Sequence, residues 1–184
     1  MLPVTKIATG FLFAFCAFRL NGLDLLFDPV GWFLCVSGLS QLQRSADDPF
    51  GRARSFAVAT LCASLAAMVV SGAPSNGLLT LSPVEHGIGI ANTAGALITV
   101  WLSADAVIRQ IRPRGDISRV ALLDVLRWAV VSLGVLGMLV GYGYADLGPV
   151  LPVVWFAAVL ALIVVLYRSA HLPCLSPIWG PVVI

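Results

Sequence analysis

Charge is what this sequence has least of. Only 11% of its 184 residues are charged, against about a quarter in an average globular domain. A chain of this length with so little charge cannot cover its apolar surface in water, which excludes an ordinary soluble domain. Reactive motifs are missing too. There is no His-Glu-x-x-His, no Gly-x-Ser-x-Gly, no phosphate-binding loop and no Gly-x-Gly-x-x-Gly. The four cysteines, Cys16, Cys35, Cys62 and Cys174, form neither a Cys-x-x-Cys nor a Cys/His metal spacing. Three of them sit in apolar runs, where a thiol behaves as a small hydrophobe. His86 and His171 fall at opposite ends of the helix pattern drawn below, so they do not share a metal. The sequence therefore assigns no catalytic, cofactor-binding or metal-binding residue, and no cofactor is expected.

What the chain does have is apolar length. Hydrophobic residues make up 59% and the mean hydropathy is +0.97. At about 20 residues per span plus short loops, 184 residues accommodate five or six membrane helices and no separate soluble domain. The pattern predicts an all-α polytopic membrane bundle of six helices, over about residues 3–20, 28–43, 54–72, 84–108, 118–141 and 149–168. Residues 1–170 form one transmembrane domain. Residues 171–184 form a tail whose three prolines argue against a further span. The first apolar run, Ile7 to Phe18, follows Lys6 but leads to no small-x-small cleavage site, so it is read as the first helix and not as a signal peptide.

Local chemistry marks the ends. Asn21-Gly22 closes the first helix, since both residues tolerate the left-handed conformation of a helix stop. Asp28-Pro29 opens the second: the carboxylate accepts free N–H groups and proline wastes none. The same pair recurs at Asp48-Pro49, in a polar loop read over Arg44 to Arg54. Ser82 and Glu85 form a capping box before the fourth helix. Two rows of small residues repeat every fourth position, Ser55, Ala59, Ala63, Ala67 and Ser71 on the third helix and Gly87, Ala91, Gly95, Thr99 and Ser103 on the fourth. In lipid, close approach along small residues does much of the work of helix association, so both rows are expected to pack on other helices.

Orientation follows from lysine and arginine. One set of helix ends carries nine of them: Lys6, Arg44, Arg52, Arg54, Arg109, Arg112, Arg114, Arg119 and Arg168. The other set carries Arg19 alone. The positive-inside rule then puts both termini and the tail in the cytoplasm, in a multi-pass protein of the cell membrane. The basic residues are accounted for by topology, and no nucleic-acid partner is expected. Trp32, Tyr142, Tyr144 and Trp155 are expected at the outer interface, and Trp101, Trp128 and Tyr167 at the inner one.

Ionisable groups near a bilayer are costly, about 2.5–3.5 kcal/mol each at mid-depth, and each needs a reason. Arg19, Asp24, Asp28, Glu85 and His86 gather at the outer ends. They read either as a polar cluster that binds a cation or handles protons, or as local devices: a cap at Asp28, a capping box at Glu85, a snorkelling Arg19 offset by Asp24. Asp124 and Arg127 are three apart and share a helix face. If their helix sits shallow, with Trp128 at the interface, the pair is a surface one, and Trp128 favours that register. If it sits deep, Arg127 needs a further partner, and Asp105 of the fourth helix is in reach. Asn92 and Thr93 are the clearest polar groups inside the fourth helix, where an interhelical hydrogen bond is the simplest role.

The stretch Asn21-Gly-Leu-Asp-Leu-Leu-Phe-Asp-Pro-Val-Gly-Trp32, followed by an apolar run to Gly38-Leu-Ser-Gln-Leu42, resembles a hairpin in small uncharacterised bacterial multi-pass membrane proteins. Those carry a Gly-Ile-Asp-Ile-Leu-Pro-Asp-x-x-Gly-Tyr type turn; this chain has Phe27-Asp28-Pro29 where they have Pro-Asp. The resemblance covers about residues 20–45. It implies a membrane hairpin and brings no activity with it. Three functional readings stand: a non-enzymatic bundle subunit or scaffold acting through membrane partners or self-association; a small transporter or channel using the outer acidic residues; and an intramembrane enzyme acting on a lipid.

Overall fold

The computed structural model of the chain describes residues 1–15, 27–43, 48–71, 83–141, 148, 150–172 and 175. The described residues fold into six α-helices: α1 (Pro3–Phe15), α2 (Phe27–Leu42), α3 (Pro49–Ser71), α4 (Pro83–Ile111), α5 (Ile117–Gly141) and α6 (Val150–Ser169). A single 3-10 turn, Arg112–Arg114, separates α4 from α5, and there is no strand among the described residues. Four helices contain stretches long and apolar enough to cross a membrane: Pro49–Val69, Gly87–Arg114, Ile117–Val140 and Val150–Ser169. At 1.5 Å per residue, 20 residues span about 30 Å, the thickness of a hydrocarbon core. α1 and α2 have 13 and 16 described residues.

Each helix packs against its neighbours in sequence, and α6 returns to pack on α1, so the six form a closed ring. The α1–α2 seam is the tightest part of it. A Cβ at Gly10 would lie 2.5 Å from the Gly31 carbonyl oxygen, and one at Gly38 would lie 2.7 Å from the Pro3 oxygen. Only glycine permits backbones this close. Val4, Ile7, Ala8 and Phe11 of α1 are buried there with Trp32, Cys35 and Leu39 of α2. The Cys35 thiol donates to the Ile7 carbonyl at 3.6 Å. On α3 and α4 the contact is polar: Thr60 Oγ1 and Thr99 Oγ1 lie 3.3 Å apart, and the Ser64 hydroxyl donates to Asn92 Oδ1 at 3.0 Å. Tyr167 of α6 shares a short hydrogen bond with Thr9 of α1 and closes the ring.

Several expectations are corrected here. α3 begins at Pro49, five residues before the predicted start. The Asp48 carboxylate accepts the Phe50 N–H at 3.2 Å, so the Asp-Pro pair starts the helix where it stands, and the polar Arg52 and Arg54 belong to its exposed first turns. α4 runs to Ile111 and ends where Pro113 forces the 3-10 turn, closed by Gly115 in the left-handed region (φ 79°). Asp116 then caps α5, accepting the Arg119 N–H at 3.3 Å.

The rows of small residues also behave differently from expectation. On α3, Ser55 and Ala59 are exposed, and the buried residues are Phe50, Ala53, Ala57, Thr60 and Ser64. On α4, Gly87 and Ala91 are exposed, whereas Thr99 and Ser103 are buried. The reason is geometric. A step of four residues turns about 40° past a full helical turn, so a strict four-residue row winds around the helix and cannot stay on one neighbour. Trp32 is corrected as well. It is 2% exposed and packs edge-on against Phe11 and Phe15, inside the ring instead of at a lipid interface.

Candidate functional site

Of the five residues expected at the outer ends, the structure speaks to three. Arg19 and Asp24 lie outside the described residues. Glu85 and His86 fall in the first turn of α4, with their side chains outside the description. Asp28 sits in the first turn of α2 and borders a cavity of about 690 Å³. Five helices build this cavity, each from the end away from the basic loops. The last turn of α1 gives Phe15, the first turns of α2 give Asp28 and Trp32, and the early part of α4 gives Asn92, Thr93 and Leu97. The last turns of α5 give Leu133, Gly137 and Met138, and the first turns of α6 give Leu151 and Trp155. Ligand pockets typically measure about 300–1,000 Å³ with apolar walls and a few placed polar groups, and this one fits that description.

The walls are held in place by identifiable contacts. Asp28 and Trp32 are four apart on α2 and so face the same way. The Phe15 ring meets Trp32 at 6.1 Å and Trp155 at 5.6 Å between centroids, both edge-to-face. The Trp155 indole N–H donates to the Val130 carbonyl at 3.1 Å, which ties that ring to α5. Asn92 borders the cavity with its side chain held by the Ser64 hydroxyl, which donates to its amide oxygen, and its amide keeps two N–H donors. Thr93 donates to the Gly89 carbonyl at 3.0 Å and keeps its hydroxyl oxygen as an acceptor. The polar part of the lining thus combines a carboxylate, an amide donor and a hydroxyl, beside three aromatic rings.

A second constellation lies at the basic end, between α4 and α5. Arg127 Nη1 reaches Asp105 at 2.6 Å and its Nη2 reaches Asp124 at 2.6 Å. Arg109 Nε donates to the other Asp105 oxygen at 2.7 Å. The Arg127 guanidinium also lies 4.4 Å from the centre of the Trp101 ring, and Trp101 meets Trp128 edge-on at 4.4 Å. Arg127 therefore makes the interhelical contact with Asp105 that the deeper register calls for, together with the pair to Asp124 on its own helix. Two arginines balance two aspartates, so the group is neutral and joins helices; it presents no unbalanced charge to a substrate. Arg127 Nε is buried with no hydrogen-bond acceptor among the described residues.

The edge-to-face tryptophans were not anticipated as partners of this group. A signal exists in hindsight: Trp101 stands four residues before Asp105, and Trp128 four after Asp124, so each ring shares a helix face with an acid. Among the described residues, no three His, Cys, Asp or Glu side chains come together in a way that would hold a metal ion. No family model, no curated protein and no solved structure matches the chain.

Proposed function

We propose that this is a multi-pass protein of the cell membrane, with both termini cytoplasmic, that works as a non-enzymatic helical subunit and assembles with further copies of itself. The observation that carries the reading is the outer face of α3. Ser55, Ala59, Cys62 and Ala66 recur at helical spacing along that face and all are exposed. A lipid-facing row of small side chains is where another helix backbone can approach closely, and none of the described residues covers it. The nine-to-one distribution of lysine and arginine supports the orientation. The resemblance of about residues 20–45 to small bacterial multi-pass proteins supports a bacterial cytoplasmic membrane.

Cys62 supplies the test. In a chain whose other three cysteines are replaced, Cys62 on two copies should cross-link in native membranes under mild oxidation. Ala59→Leu, which fills the row, should abolish the cross-link without lowering the melting temperature. A chain that stays monomeric in membranes and in detergent sizing would remove this reading. The cavity beside Asp28 favours a second one, a small transporter, since a site bordered by a carboxylate and walled by apolar groups is what such a protein would need.

A further inference from the structure

We infer that the lipid-facing groove between α4 and α5 binds a phospholipid with an anionic headgroup, one acyl chain lying in the groove and the phosphate held by the arginines at its basic end. The groove measures about 260 Å³; Ala94, Ile98, Trp101, Val131, Val135 and Met138 line it, and its walls present no polar surface. It runs along the outside of the ring, where Ile98 and Val135 are exposed. From Ala94 to Trp101 it follows α4 for about 10 Å, a shape that suits an extended hydrocarbon chain and offers nothing to a polar solute.

Charge names the headgroup. Ala94, Ile98, Trp101, Asp105 and Arg109 follow one another at steps of three or four residues, so the groove leads along one helix face to the basic end. Between residues 105 and 127 stand five arginines and three aspartates. The aspartates are all paired: Asp105 with Arg109 and Arg127, Asp124 with Arg127, and Asp116 with Arg119. Arg112 and Arg114, in the turn between the helices, are exposed and have no acidic partner among the described residues. The Arg109 side chain is 64% exposed and gives only its Nε to Asp105, which leaves both Nη groups for a phosphate oxygen. Cα–Cβ bonds on a helix tilt toward its N-terminus, so Arg109 leans back toward the groove. Trp101 and Trp128 meet edge-on between the apolar and the basic stretch, at the level where indole rings sit beside lipid headgroups. An excess of arginine between two helices at a membrane surface attracts an anionic headgroup, whereas a zwitterionic lipid brings a cation to the same place and gains less.

The inference rests on the bundle lying in a membrane, as proposed above, and on neither its orientation nor its assembly. Binding is read in detergent, so its failure is distinct from a failure of topology or of cross-linking. The purified chain in a neutral detergent is titrated with phosphatidylglycerol and with phosphatidylcholine of the same acyl chains, and bound lipid is counted by native mass spectrometry. The chain should retain phosphatidylglycerol about ten times more tightly than phosphatidylcholine, and the preference should shrink as salt is added. Arg112→Gln with Arg114→Gln should remove most of that preference. Arg52→Gln with Arg54→Gln takes the same charge from the exposed start of α3 and should leave it. Val135→Phe, on the exposed wall of the groove, should weaken both lipids. All these side chains are exposed, and the three variants should melt with the wild type. Equal binding of the two lipids, the same loss from either arginine pair, or phosphatidylglycerol binding untouched by Val135→Phe would each overturn the assignment. Displacement of the lipid by inorganic phosphate would overturn it in favour of a phosphate site, and loss of a dimer instead of lipid in Val135→Phe would give the groove to a second copy.

Discussion

Replacing Gly31 by alanine puts the α1–α2 seam under a defined load. The added methyl would lie 2.6 Å from the Gly10 oxygen, 2.7 Å from the Ala14 nitrogen and 3.1 Å from the Ala14 Cβ, whereas ordinary contact begins at 3.4 Å. Two of these three atoms are backbone, so no rotamer change relieves them. The helices must part by on the order of 1 Å, and a gap of that size forfeits a quarter to a half of each dispersion contact along the seam. Overpacking of this kind costs about 1–3 kcal/mol, and rigid backbone neighbours place it at the upper end. Alanine recovers up to about 1 kcal/mol of helix propensity, leaving a net loss of about 2 kcal/mol. Gly137→Ala is the control, since it carries the same propensity change with no neighbour within 4 Å of the new Cβ. Unfolding in mixed micelles, followed by circular dichroism against rising SDS, measures both. Gly31→Ala should unfold earlier than wild type, and Gly137→Ala at the same point or later. A Gly31→Ala protein as stable as its Gly137→Ala counterpart would refute the description of the seam.

Two further perturbations probe the other interfaces. Arg127→Met removes both ion pairs of a side chain that is 14% exposed, while Asp105 retains Arg109; a loss of about 1–3 kcal/mol is expected, and a double-mutant cycle with Asp105→Asn should return a coupling of at least about 1 kcal/mol. Additive effects in that cycle would mean that Arg127 does not join α5 to α4. Gly95→Leu places a Cβ 2.6 Å from Thr60 Oγ1 and should destabilise the protein far more than Thr60→Val, which forfeits hydrogen bonds typically worth less than about 1 kcal/mol in lipid. The same SDS titration ranks the two, and a reversed order would remove the α3–α4 packing argument.

The helices themselves were legible because lipid imposes long apolar runs and because turns need particular residues. Asp48-Pro49 marks a helix start that the structure reproduces, although the polar residues after Pro49 put the expected start five residues late, and α4 runs on to Ile111, past its expected end at about 108. The Arg127–Asp105 contact was one of two alternatives in the sequence, where Trp128 favoured the register with Asp124 as the sole partner; the structure holds both pairs. Which face of a helix meets which neighbour was harder to read. A row repeating every four residues is conspicuous in a linear sequence and yet winds around the helix, so Ser55 and Ala59 point outward while Thr60 and Ser64 do the packing. Gly10, Gly31 and Gly38 carry the closest seam, but their role depends on which helices are adjacent, and no single helix contains that information. The cavity was not legible for the same reason. It is a space left between five helix ends, and among its lining Asp28, Asn92 and Thr93 had drawn notice as polar residues in apolar surroundings.

The account rests on a ring of helices crossing the membrane with the basic ends inward, and thiol accessibility on intact cells tests that most directly. In a cysteine-free background, single cysteines at Glu85 and Val150 mark the ends near the cavity, and single cysteines at Arg52 and Arg114 mark the basic ends. A membrane-impermeant maleimide should label positions 85 and 150 and leave 52 and 114 untouched until the cells are opened. Labelling of 52 or 114 on intact cells, or protection of 85 or 150, would contradict the proposed topology.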